Sequence, residues 1–155
     1  MYKKILVPLD GSQLSESVLD HVIAIASGCK TPKVVLLRVR QPIHDAVSDA
    51  VDYEAASKLD ESYQKEATEY LRKASDNLRK RSLKVETIVL SGKPAEEILK
   101  YAQGSGVDLI IMSSHGRSGV ARWVLGSVTD MVIRHSTVPV MVKPSRTTAA
   151  KYILD

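Results

Sequence analysis

The sequence predicts an α/β protein: an open five-stranded parallel sheet with helices on both faces. Three observations carry this. Five short runs rich in Val, Ile and Leu alternate with segments whose apolar residues recur at helical spacing. Most of these runs are continuously apolar rather than alternating, as strands covered on both faces are. Gly, Pro, Asp and Ser cluster at the junctions between them.

Composition bounds the rest. A chain of 155 residues suits one domain with a full core. Phe is absent, so Val, Ile, Leu, Ala and Met must build that core. A net charge of +4 suits anionic ligands but falls short of a dedicated nucleic-acid surface. The one cysteine, Cys29, permits no internal disulfide and reads as an inert small residue. The apolar start is broken early by Pro8 and Asp10, and no run is long enough to span a bilayer. A cytoplasmic protein without membrane insertion is expected.

The elements follow in order. Lys3 to Leu9 is the first strand, stopped by the turn Asp10-Gly11-Ser12, where Ser12 or Ser15 can cap the next helix. That helix spans Ser15 to Ser27 on Val18, Leu19, Val22, Ile23, Ile25 and Ala26, and Gly28 is expected to end it. Lys33 to Val39 is the second strand. Gln41 to Ala56 is expected to be a long loop of the kind that serves as a lid. The longest helix, about Ser57 to Arg81, carries one apolar stripe of Leu59, Tyr63, Ala67, Tyr70, Leu71, Ala74 and Leu78.

Leu83 to Leu90 is a third strand, more alternating and so less covered on one side. Pro94 opens a short helix whose first turn holds Glu96 and Glu97, and Gly104 and Gly106 close it. Val107 to Met112 is the fourth strand. A helix from about Gly126 to His135 leads to a fifth, Val138 to Val142, where Pro139 argues for a sheet edge.

Ligands in such sheets bind beyond the carboxyl ends of the strands. There the sequence S-S-H-G-R-S-G-V-A-R-W-V-L-G-S-V-T, Ser113 to Thr129, follows the fourth strand. Gly116 and Gly126 permit close backbone approach to an anion, and Ser127 and Val128 offer a hydroxyl and helix N–H groups. The alternative is a loop whose glycines only make turns and whose Ser127 only caps a helix. Arg117 and Arg122 would add charge or be solvated. Asp10 would accept from ribose hydroxyls or simply hold an Asp-Gly turn.

Other motifs carry less. His115 lacks a nucleophile and an orienting partner. Gly116-Arg117-Ser118-Gly119 is one residue short of a nucleophile elbow, and Gly92-Lys93 lacks the other residues of a P-loop. His21, His44 and His135 show no metal spacing. Arg79-Lys80-Arg81 with Lys84 reads as a solvated helix end, and no nucleic-acid partner is expected.

Val7-Pro8-Leu9-Asp10-Gly11-Ser12, Leu37-Arg38-Val39, Met112 to Gly119, Leu125-Gly126-Ser127-Val128 and Val138-Pro139-Val140 together resemble the universal stress protein family. The resemblance covers nearly the whole chain in order. It implies a single domain over 1–144 with a tail over 145–155, and a Rossmann-like fold of adenine nucleotide α-hydrolase type with strand order 3-2-1-4-5. It also implies homodimers through the fifth strand, Val138 to Val142. The family's ATP-binding branch carries G-x2-G-x9-G-[S/T]. Gly116, Gly126 and Ser127 match it, while Ser113 replaces the first glycine.

Carried over, the resemblance implies that Pro8, Asp10 and Val39 surround adenine and ribose. Ser113 and Gly116 would follow the ribose and phosphates, with Arg117 beside them. Gly126, Ser127 and Val128 would hold the outer phosphates, and Mg²⁺ would be held through those phosphates. A dimeric, ATP-binding stress-response regulator is the expectation. A nucleotide-independent interaction module and a slow ATPase are the alternatives, and no catalytic residue is identified.

Overall fold

A computed structural model describes residues 2–31, 33–42, 53–114 and 125–144. The elements run β1 (Lys4–Pro8), α1 (Gln13–Glu16), α2 (Leu19–Gly28), β2 (Lys33–Arg40) and α3 (Tyr53–Lys80). They continue with β3 (Val85–Ser91), α4 (Pro94–Gly104), β4 (Leu109–Ser113), α5 (Ser127–His135) and β5 (Val140–Lys143). The five strands form one sheet in the order β3-β2-β1-β4-β5, all neighbours parallel.

The period-two alternation of strands divides the core into two layers. Ile5, Val7, Val34, Leu36, Leu109 and Ile111 face one side, against Val22 and Ala26 of α2 and Leu71, Ala74 and Leu78 of α3. Leu6, Val35, Leu37, Ile110 and Met112 face the other, against Ala95, Ile98 and Ala102 of α4 and Val132 of α5. Both faces of the central strands are covered, which is why their sequences show no polar alternation. The edge strands β3 and β5 are half-buried along most or all of their length.

Several elements depart from expectation for identifiable reasons. The first helix starts at Gln13 and divides at Ser17–Val18. The Ser17 hydroxyl bonds back to the Leu14 carbonyl at 2.7 Å, and Lys143 Nζ donates to the Ser17 carbonyl at 2.5 Å. Those bonds compete with the helical ladder at that turn.

Gly28 does not end α2; it lies within it, and the residue in the left-handed region is Lys30, at φ 51°. The amides of Lys30 and Thr31 donate to the carbonyls of Ser27 and Ala26, the pair of bonds of a Schellman motif. Ser82, at φ 61°, ends α3 in the same way, with Ser82 and Leu83 donating to Arg79 and Leu78.

Residues 53–56, expected in the loop, are the first turn of α3, and residues 43–52 lie outside the described residues. The apolar stripe on α3 is only partly core. Ala67, Leu71, Ala74 and Leu78 are buried, but Leu59 and Tyr63 are 45% and 47% exposed. The 28 residues of α3 span about 42 Å. The 8 residues of β2 span about 26 Å. The amino-terminal part of α3 therefore overhangs the sheet's carboxyl edge. Pro139 precedes β5 rather than interrupting it, and its carbonyl accepts from the Ile110 amide at 3.0 Å. No helix among the described residues is long and apolar enough to cross a membrane.

Candidate functional site

The carboxyl ends of β1 and β4 are adjacent in the sheet, and the chain leaves them toward opposite layers. This opens a cleft between the two exits. Each wall is built locally.

After β1 the Leu9 amide still donates to the Leu37 carbonyl, at 2.8 Å, before Asp10-Gly11 turns the chain. Gly11 has φ 90°, a conformation that a side chain would strain. Asp10 Oδ1 accepts from the amide and the hydroxyl of Ser12, at 3.0 and 2.6 Å. Ser12 in turn caps α1 through the Ser15 amide at 3.1 Å. The turn reading of Asp10 is thus realised, while its side chain remains at the cleft.

The opposite wall is fastened to β4. The Thr129 hydroxyl donates to the Ser113 carbonyl at 3.0 Å, and the Gly126 amide to the Ser114 carbonyl at 2.9 Å. The Ser114 amide donates to Lys143 at the end of β5, also at 2.9 Å. These bonds set the first turn of α5 against the strand end. Gly126, not Ser127, occupies the N-cap position, and no side chain among the described residues caps the helix there. With φ −56° and ψ 146°, Gly126 adopts a conformation open to any residue. What glycine contributes is the absence of a side chain beside the first-turn N–H groups.

The cleft encloses about 230 Å³. Leu37, Val39, Ile98 and Met112 make its base apolar, Asp10 and Ser15 line one wall, and Gly126, Ser127 and Thr129 the other. Of the sequence-predicted residues, Pro8, Asp10, Val39, Ser113, Gly126, Ser127 and Val128 all meet there. Gly116 and Arg117 lie outside the described residues.

Sequence reasoning missed Ser15, Pro94, Ile98 and Thr129. Pro94 and Ile98 belong to α4, whose first turn enters the cleft only through the packing of α4 on the sheet. Thr129 carried a legible signal, a hydroxyl two residues after Ser127 on the same first turn.

A second, more polar cleft adjoins the first. Asp10, Val39 and Pro94 line both, and Arg38, Arg40, Tyr63 and Glu66 complete it. Arg40 is firmly held: its Nη2 meets Asp60 Oδ2 at 2.7 Å and its Nε meets Gln64 Oε1 at 2.9 Å. The hydrogen bonds it donates to the Asp60 carboxylate push the Arg40 pKa above its ordinary value. Behind it Arg38 stacks over the Tyr70 ring, 4.9 Å from its centre. Burial pushes the Tyr70 phenol well up, and the nearby Glu16 carboxylate adds to this. Its buried hydroxyl finds no hydrogen bond of good geometry.

The universal stress protein family model matches residues 1–144. The universal stress protein MJ0577 of Methanocaldococcus jannaschii is 38% identical over 154 residues, covering 92% of this chain and 94% of that protein. The solved MJ0577 structure superposes with a TM-score of 0.83, over 94% of this chain and 98% of its own. Two further structures share the fold: a universal stress protein in complex with cAMP, and one from Arabidopsis thaliana with AMP bound. The first has a TM-score of 0.68 at 23% identity, covering 92% of this chain and 97% of its own. The second has a TM-score of 0.63 at 18% identity, covering 92% and 91%.

Proposed function

The chain belongs to the universal stress protein family, and from that premise we propose that it binds ATP in the cleft between β1 and β4. One observation carries the reading. All seven described residues carried over from the family resemblance line a single cleft, between the Asp10 turn and an α5 first turn that no side chain among the described residues caps. The apolar base suits an adenine ring, Asp10 suits ribose hydroxyls, and the first turn of α5 suits phosphate oxygens. That fold relatives hold cAMP and AMP is compatible with the reading.

Among the described residues, no group of three or more His, Cys, Asp or Glu side chains could hold a metal ion. In this proposal Mg²⁺ is held through the phosphates. Gly116 and Arg117 would complete the phosphate side.

The protein acts in this reading as a cytoplasmic, nucleotide-dependent regulator of the stress response, with no catalytic residue assigned. It pairs with a second copy along the β5 edge, β5 being the last strand of the sheet. Calorimetry with ATP and Mg²⁺ tests the ligand: no heat of binding at about 1 mM nucleotide, the weak end of specific affinity, overturns it. Sedimentation tests the dimer, with a monomer at all concentrations as the contrary outcome.

A further inference from the structure

The second cleft contains a buried cation whose one carboxylate partner among the described residues is a distant one. Arg38 is 9% exposed. It lies on the same face of β2 as Val34 and Leu36, turned toward α3. Its nearest carboxylate, Glu66, is 3.8 Å away, beyond hydrogen-bond distance, and the Glu66 side chain is 65% exposed. Tyr70 meets the guanidinium with its ring and supplies no acceptor there. Among the described residues the guanidinium makes no hydrogen bond, although it carries five N–H donors in a planar fork. Its neighbour Arg40, two residues on along the strand, shows the satisfied arrangement, with paired bonds to Asp60.

A buried guanidinium with unused donors is costly unless an acceptor reaches it. Arg38 lines a cleft of about 480 Å³, continuous with the first through Asp10, Val39 and Pro94. We propose that this second cleft is an oxyanion site in which Arg38 grips a carboxylate or phosphoryl group of a small molecule through its planar fork.

Two carboxylates also line the cleft. Asp10 has one oxygen committed to Ser12, and Glu66 stands on the solvent side as a weak internal competitor for Arg38. An incoming anion displaces Glu66 into water, which its exposure allows. The site stands independently of the nucleotide reading, since Arg38 does not line the first cleft.

The test follows the Arg38 Nε–H and the Val39 amide resonances of the isotope-labelled full chain during separate titrations with inorganic phosphate and with acetate, the Val39 amide serving as the reporter in the Arg38 variant. A saturable shift near millimolar concentration is expected. Glu66→Gln should tighten binding several-fold by removing the competitor, and Arg38→Gln should abolish it in a chain whose circular dichroism is unchanged. The absence of a saturable shift overturns the proposal, as does an affinity untouched by Glu66→Gln.

Repeating the titration in excess ATP separates two sources of the anion. Unchanged phosphate binding indicates a second, free ligand, and mutual exclusion indicates one ligand reaching across both clefts. Failure of ATP to bind at all would overturn the nucleotide reading and leave this one standing.

Discussion

The hydroxyl of Thr129 donates to the carbonyl of Ser113 across 3.0 Å, joining residues sixteen apart in the chain. Both are buried, so the bond is shielded from water. It holds the first turn of α5 against the strand end that lines the cleft. Thr129→Val keeps the shape but removes this hydrogen bond, with an expected loss of about 0.5–1.5 kcal/mol. ATP affinity should fall as well, because the helix loses one of the two bonds that fasten it to β4. Urea unfolding and calorimetry on the same variant read the two effects.

Gly126→Leu places a branched side chain beside the first-turn N–H groups without straining the backbone, since φ there is −56°. The expected result is loss of ATP binding with an unchanged circular dichroism spectrum. Retained affinity would mean that phosphates do not approach α5.

Leu71 is fully buried and Leu59 is 45% exposed, although both belong to one apolar stripe on α3. Leu71→Ala should cost about 2–5 kcal/mol through lost burial and a cavity. Leu59→Ala should stay within about 0.5 kcal/mol. Denaturant midpoints distinguish the two directly.

Lys30 and Ser82 occupy left-handed positions that favour glycine, at φ 51° and 61°. Lys30→Gly and Ser82→Gly should each raise stability by about 0.5–1 kcal/mol, because the Cβ strain is relieved while both Schellman bonds remain. Thermal unfolding of the single and double variants checks this, and the sites are expected to be additive.

Burial raises the phenol pKa values of Tyr70 and Tyr101. The unfolded chain then loses these protons first, so it binds fewer protons than the native state above the ordinary tyrosine value of about 10. Stability should therefore fall as pH rises past that point. Tyr70→Phe should flatten the fall. At neutral pH it should be neutral or slightly stabilising, since the hydroxyl is buried without a good hydrogen bond. Urea midpoints measured from about pH 8 to about pH 11 follow both effects.

What could be read from the chain alone was whatever depends on local pattern. The continuous runs at Ile5–Val7, Val34–Leu37 and Leu109–Met112 announced central parallel strands, because a strand covered on both faces has no position free to be polar. The Asp10 turn, the Ser12 cap and the glycine before α5 were legible too, since each is a short-range backbone requirement. The strand order rested on the family resemblance, as periodicity says nothing about which strands are neighbours.

Tertiary structure decided what depends on distance between elements. Leu59 and Leu71 share one helical stripe, and only the length of α3 against β2 determines which of them meets the sheet. Pro94 and Ile98 reach the cleft because α4 packs across it. Arg38 reads in sequence as one more charged residue at a strand end. Its burial beneath Glu66 and over Tyr70, two residues far along α3, exists only once α3 is laid on the sheet.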